Sequence, residues 1–182
     1  RQAYRRTVSV NRNAIRQAET SLQQDQEVVF GWAVNHVSES RKLDRDFIRT
    51  VVEVNGEALE RAPPELRRDR ELVLLAVQSS NGLALQFAAE ELRSDRDIVL
   101  TAVRRNGLAL EYAAPVMKAD RSVVMAAVQV HGEALEFASQ ELKRDPELVL
   151  KAVQRSAGWA MQFAAEELKD DKDLGNKAVQ LQ

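Results

Sequence analysis

His36 and His131 are the only imidazoles in the chain, and with 28 acidic residues they are the groups that could hold a metal or pass a proton near neutral pH. Neither lies in an HExxH helix or any other metal-ligand spacing. Cysteine is absent, which removes thiolate nucleophiles, Cys-based metal sites and disulfides. GxxxxGK[ST], GxGxxG and GxSxG are absent too, so no phosphate cradle or nucleophile elbow is encoded. The carboxylates recur rather than stand out. Arg70, Arg96 and Arg121 follow an Asp at regular intervals, and Arg67, Arg93, Lys118, Lys143 and Lys169 precede one. A catalytic carboxylate pair would be a singularity, whereas this regularity predicts a ladder of surface ion pairs. No catalytic residue, cofactor site or metal site is expected, and the chain reads as a non-enzyme.

That regularity belongs to a repeat. NGLALQFAAEELRSD at 81–95 recurs as NGEALERAPPELRRD at 55–69, NGLALEYAAPVMKAD at 106–120, HGEALEFASQELKRD at 131–145 and AGWAMQFAAEELKDD at 157–171. Units begin near Asp25, Asp44, Asp69, Asp95, Asp120, Asp145 and Asp171, and from Asp44 onward the intervals are 25, 26, 25, 25 and 26 residues. Each longer interval carries its extra residue just before the Gly, in VQSSNG and VQRSAG. An indel confined to one loop position is what a structural repeat tolerates.

After each Asp, apolar residues fall at offsets 3, 4, 7 and 8, as in Leu72, Val73, Ala76 and Val77. This spacing stacks them on one face of an α-helix of about 11 residues. The Asp is placed to cap the helix, and an acid two residues later suits the helix dipole. The following Gly is expected to end the helix in the left-handed conformation. Beyond it, Ala and Leu or Met at offsets 2 and 3, and mostly an aromatic at 5, predict a second helix of about 7 residues. Pro63, Pro64 and Pro115 should stop that helix. The ELRRD-type tail is expected as a turn. Helices this short are marginal alone and need stacked neighbours. The expected fold is therefore an all-α solenoid of about seven 25-residue two-helix repeats, with residues 1–182 forming one helical-repeat domain whose first and last units are incomplete.

Both ends fit less well. NRNAIRQAETSLQQD at 11–25 matches the unit with Arg12 in place of the Gly, and only 19 residues separate Asp25 from Asp44. Either two helices fuse there or residues are missing. The chain starts and stops inside the repeat, so flanking sequence or partner-covered ends are expected.

The pattern D-x-[DE]-[LIV]-V-x-x-A-V followed by N-G-x-A-L-x-[FY]-A-x-x-E-L-x-x-D resembles the tandem short helical repeats of the domain of unknown function 4116 family, strongly over 44–182 and weakly over 1–43. The resemblance implies a helical repeat. No catalytic or ligand residues are established for that family, so none are carried onto this chain.

His131 takes the place of Asn55, Asn81 and Asn106 before the Gly and is read as a turn residue; His36 replaces the aromatic at offset 5 and is read as a packed ring. The residue after the Gly is Trp32, Glu57, Leu83, Leu108, Glu133 or Trp159. It could pack on the preceding turn or project as a row of partner contacts, with Trp32, Leu83, Leu108 and Trp159 the candidates.

The net charge of −2 hides an Arg-rich start. Arg1, Arg5, Arg6, Arg12 and Arg16 lie in the first 18 residues without an acid, leaving 21 basic and 28 acidic residues elsewhere, or −7. No apolar run is long enough to cross a bilayer, so a soluble chain is expected. Architecture without pocket chemistry predicts a protein–protein interaction scaffold, linker or peripheral subunit in a multi-subunit assembly. The alternative is RNA binding through Arg1, Arg5, Arg6 and Arg12. The acidic body, and the lack of a repeated base-reading triplet, argue against nucleic acid.

Overall fold

A computed structural model describes residues 45–170. Those residues are helical, with no strand among them. Five ten-residue helices recur: α1 (Arg45–Val54), α2 (Arg70–Ser79), α3 (Arg96–Arg105), α4 (Arg121–Val130) and α5 (Pro146–Arg155). Asp69, Asp95, Asp120 and Asp145 each sit in extended conformation and accept from the second and third helical N–H groups, as Asp95 Oδ1 does from Asp97 at 3.0 Å and Ile98 at 3.2 Å. Two otherwise orphaned donors are satisfied at each helix start. The offsets read as core are core: Ile98, Val99, Ala102 and Val103 in α3 are fully buried, and the same four positions are buried in every other long helix.

The second element differs from expectation. It is a 3-10 helix, spanning Gly56–Arg61, Leu83–Phe87, Gly107–Tyr112, Gly132–Phe137 and Trp159–Phe163 in successive units. Its buried residues include a set spaced by three, with Ala109 and Ala134 buried beside it. Gly107, Leu110 and Ala113 are all buried, as are Gly132, Leu135 and Ala138. With three residues per turn these positions eclipse on one edge; in an α-helix they would drift off it. The helix ends at an extended Ala whose N–H bonds back three residues, as Ala113 does to the Leu110 carbonyl at 3.1 Å.

The tail, expected as a turn, is a third short helical element: Leu66–Arg68, Glu90–Arg93, Pro115–Lys118, Leu142–Arg144 and Glu166–Lys169. Pro115 opens one of these rather than merely closing the previous helix, because a first-position proline has no N–H to lose. The elements are stacked unit upon unit, long helix on long helix and 3-10 helix on 3-10 helix. A repeated backbone bond ties the thirds together. Ala89, Ala114, Ser139 and Ala165 donate to the carbonyls of Arg67, Arg93, Lys118 and Lys143 in the preceding unit, at 2.9 to 3.0 Å.

The Gly expectation holds in part. Gly82 and Gly158, in the units with the extra residue, have φ of +91° and +97°. Gly107 does not adopt the left-handed region. A Cβ there would lie 2.3 Å from the Ala127 carbonyl oxygen of the next unit, so the residue is Gly because two backbones meet. Asp25, Asp44 and Asp171 and the shortened second unit lie outside the described residues.

Candidate partner surface

The predicted ion-pair ladder is formed chiefly by the arginines that open the long helices, with looser pairs from Arg68 to Glu91 at 3.9 Å and from Arg144 to Glu167 at 3.8 Å. Arg70 Nε lies 2.8 Å from Asp95 Oδ2 and its Nη2 lies 3.0 Å from Asp97. Arg121 reaches Asp145 at 2.7 Å and Glu147 at 2.6 Å, Arg96 reaches Asp120 at 3.1 Å and the Ser122 hydroxyl at 2.6 Å, and Arg45 pairs with Asp69 and Glu71. Each Asp thus gives Oδ1 to its own helix cap and Oδ2 to the Arg of the unit before. Arg45 and the cap N–H groups hold the Asp69 carboxyl below its ordinary range, and Arg70 does the same to Asp95. The Ser122 hydroxyl and the cap N–H groups, with Arg96, bring Asp120 down to about 2. Carboxylates held ionised and bonded on both oxygens are positioned for structure, not for proton transfer.

The cations two residues before each Asp do not pair with acids of the next unit. Arg67 Nε donates instead to the Ala62 carbonyl at 2.9 Å, and Lys169 pairs with Glu166 inside its own unit at 2.7 Å.

His131 is a turn residue, as expected, and does more than turn. Its Nδ1 accepts from the Gly107 N–H of the preceding unit at 3.1 Å. Asn55 and Asn106, at the same place, cap their own 3-10 helices through Glu57 N–H and Leu108 N–H. In the longer units that cap passes to Ser80 and Ser156, whose hydroxyls accept from Ala84 and Ala160 at 2.8 Å. His36 lies outside the described residues. No cluster of three or more His, Cys, Asp or Glu placed to hold a metal occurs among the described residues. An open depression of about 410 Å³ between α1 and α2 is lined by Arg45, Arg49, Glu71, Leu74, Leu75 and Gln78, which include no nucleophile with an adjacent base.

The residues after the turn Gly form a row because the 3-10 helices that carry them stack in order. Leu83 is half-buried, Leu108 is 37% exposed and Trp159 is 70% exposed. Glu57 is exposed and Glu133 half-buried in the same row. Of the two outcomes open at this position, Leu83 packs and Trp159 projects. Val116, 59% exposed at the start of its short helix, is an exposed apolar side chain that sequence reasoning missed. It replaces the Glu91 and Glu141 of neighbouring units, which was the available signal. Trp32, Arg1, Arg5, Arg6 and Arg12 lie outside the described residues.

Among the described residues, no helix is long and apolar enough to cross a membrane. No match was found among curated proteins or among solved structures. The pattern of one family, a domain of unknown function (DUF4116), matches six overlapping segments, 29–67, 44–93, 69–118, 95–143, 120–158 and 145–182. These overlap in the rhythm of the Asp-capped units, and the chain belongs to the DUF4116 family of tandem helical repeats.

Proposed function

We propose that this chain is a non-catalytic protein–protein interaction module, a scaffold, linker or peripheral subunit that contacts other protein subunits of a larger assembly along the Leu108–Trp159 row. The observation that carries the reading is Trp159. A tryptophan at 70% exposure, in a chain whose long helices bury every apolar residue at their core offsets, is costly to solvate and is a residue type enriched at interface hot spots. The repeat supplies a row of positions one unit apart, and the cap carboxylates Asp69, Asp95, Asp120 and Asp145 are engaged by helix N–H groups and by arginines of the preceding unit.

The test is affinity capture of the full-length protein from its native source under mild conditions, with nuclease treatment and a Trp159→Ala variant alongside. A defined set of protein subunits that survives nuclease and is depleted with Trp159→Ala supports the reading. Recovery of RNA, lost on nuclease treatment and unchanged by Trp159→Ala, overturns it in favour of nucleic-acid binding.

A further inference from the structure

Two columns of cations run along the stack, one paired throughout with acids of the next unit and the other unpaired at its centre. The arginines that open the long helices all reach acids of the next unit. The other column is Arg67, Arg93, Lys118, Lys143 and Lys169, one per unit at intervals of 26, 25, 25 and 26 residues. Its three central members, Arg93, Lys118 and Lys143, are half-buried and have no side-chain hydrogen bond or ion pair among the described residues. Arg93 Nε is shut off from solvent and still unbonded. The carbonyls of Arg67, Arg93, Lys118 and Lys143 each accept the backbone bond from the next unit, so these residues are locked to the pitch of the stack. Burial pushes the Lys118 ammonium below its ordinary range, with Glu111 opposing and Arg93 adding to the shift. Partly desolvated like charges in a line are unfavourable; Glu111 offsets part of this at Lys118, and an anion that meets the column would offset more.

We propose that this column receives an extended acidic peptide of a partner protein, lying along the stack with one carboxylate per unit. Packed helices stand ~8–10 Å apart. A polyproline-II chain repeats every three residues at ~3.1 Å each, or ~9.3 Å, so an acid at every third position keeps step with the cations. Phosphates of a duplex strand, ~3.4 Å apart, would place about two unmatched charges between successive cations, whereas the spaced peptide places one carboxylate on each. Glu60, Glu111 and Glu136 hold one position on three of the five 3-10 helices, with Gln86 and Gln162 in the other two, and such acids oppose a dense polyanion more than one carboxylate per unit. The inference rests on the interaction-module reading but uses a different surface from the Trp159 row.

The experiment is fluorescence anisotropy on the full chain with three labelled probes: a peptide of about 15 residues with Glu at every third position between Pro, Ser and Ala, a peptide of the same composition with its Glu residues clustered, and single-stranded RNA. The spaced peptide should bind at least tenfold more tightly than the clustered one, about 1.4 kcal/mol. Lys118→Gln with Lys143→Gln should abolish that preference, while Arg104→Gln with Arg105→Gln, an equal charge change at the exposed end of α3, should leave it within about twofold. Equal affinity for the two peptides, no peptide binding, or RNA bound more tightly and lost in the lysine variant each overturns the proposal. The peptide comparison uses unmodified protein, so it decides even if the lysine variant misfolds. Trp159→Ala should leave peptide binding unchanged. A Trp159-dependent complex that persists when the peptide fails would sink this inference and leave the interaction reading standing.

Discussion

Arg121 and Asp145, 24 residues apart, meet at 2.7 Å across the boundary between two units, and the same carboxylate caps α5 through Glu147 N–H and Leu148 N–H. One side chain therefore ends a loop, starts a helix and joins two repeats. Asp145→Ala should remove all three at once, at ~0.5–2 kcal/mol for the cap alone. Arg121→Ala removes only the junction and should lower the melting temperature less. Equal losses in thermal melts would show that the cap contributes nothing.

The cap carboxylates also predict a pH dependence. Their folded pKa values are lowered, so their contribution is fully present above the ordinary carboxylate range and is lost as pH falls toward the folded value, about 2 for Asp120. Melting temperature should fall between about pH 4 and 2. Asp120→Asn still caps but cannot ionise, so it should start from lower stability and fall less over that interval. A parallel fall in both proteins would place the acid sensitivity elsewhere.

Leu110 and Glu111 are neighbours on one 3-10 helix, the first fully buried and the second exposed. Leu110→Ala should cost ~2–5 kcal/mol in denaturant unfolding, because the cavity opens between two stacked units. Glu111→Ala should stay within ~0.5 kcal/mol. Similar costs would overturn the register of the short helix.

Gly107 separates two reasons for a glycine. If it served a left-handed turn, Asn would be tolerated better than Ala, since Asn visits that region more readily. Because a Cβ would strike the Ala127 carbonyl at 2.3 Å, Gly107→Ala and Gly107→Asn should both destabilise by ~1–3 kcal/mol or more. Rescue by Asn alone would mean that the turn, not the approach of the next unit, requires the glycine.

Much of this architecture is local chemistry and was open to reading along the chain. Asp before an apolar face of period 3.6 predicts a capped helix wherever it occurs, and the apolar offsets from Phe47 to Val153 are all buried as that period requires. The unit length, the stacking and the family follow from the recurrence of Asp69, Asp95, Asp120 and Asp145. The period-three set Gly107, Leu110 and Ala113 was legible too, but its Ala and Leu pairs fit an α-helix equally well over so few residues. What a neighbour 20 or more residues away decides was not legible. Gly107 is fixed by the Ala127 carbonyl and the His131 ring by the Gly107 N–H; Arg121 is neutralised and Lys143 left bare according to which acids the next unit brings within reach. Trp159 projects while Leu83 packs at the same repeat position. Sequence period sets which face of a helix is apolar; only the stacking of units sets how closely two backbones approach and which side chains remain without a partner.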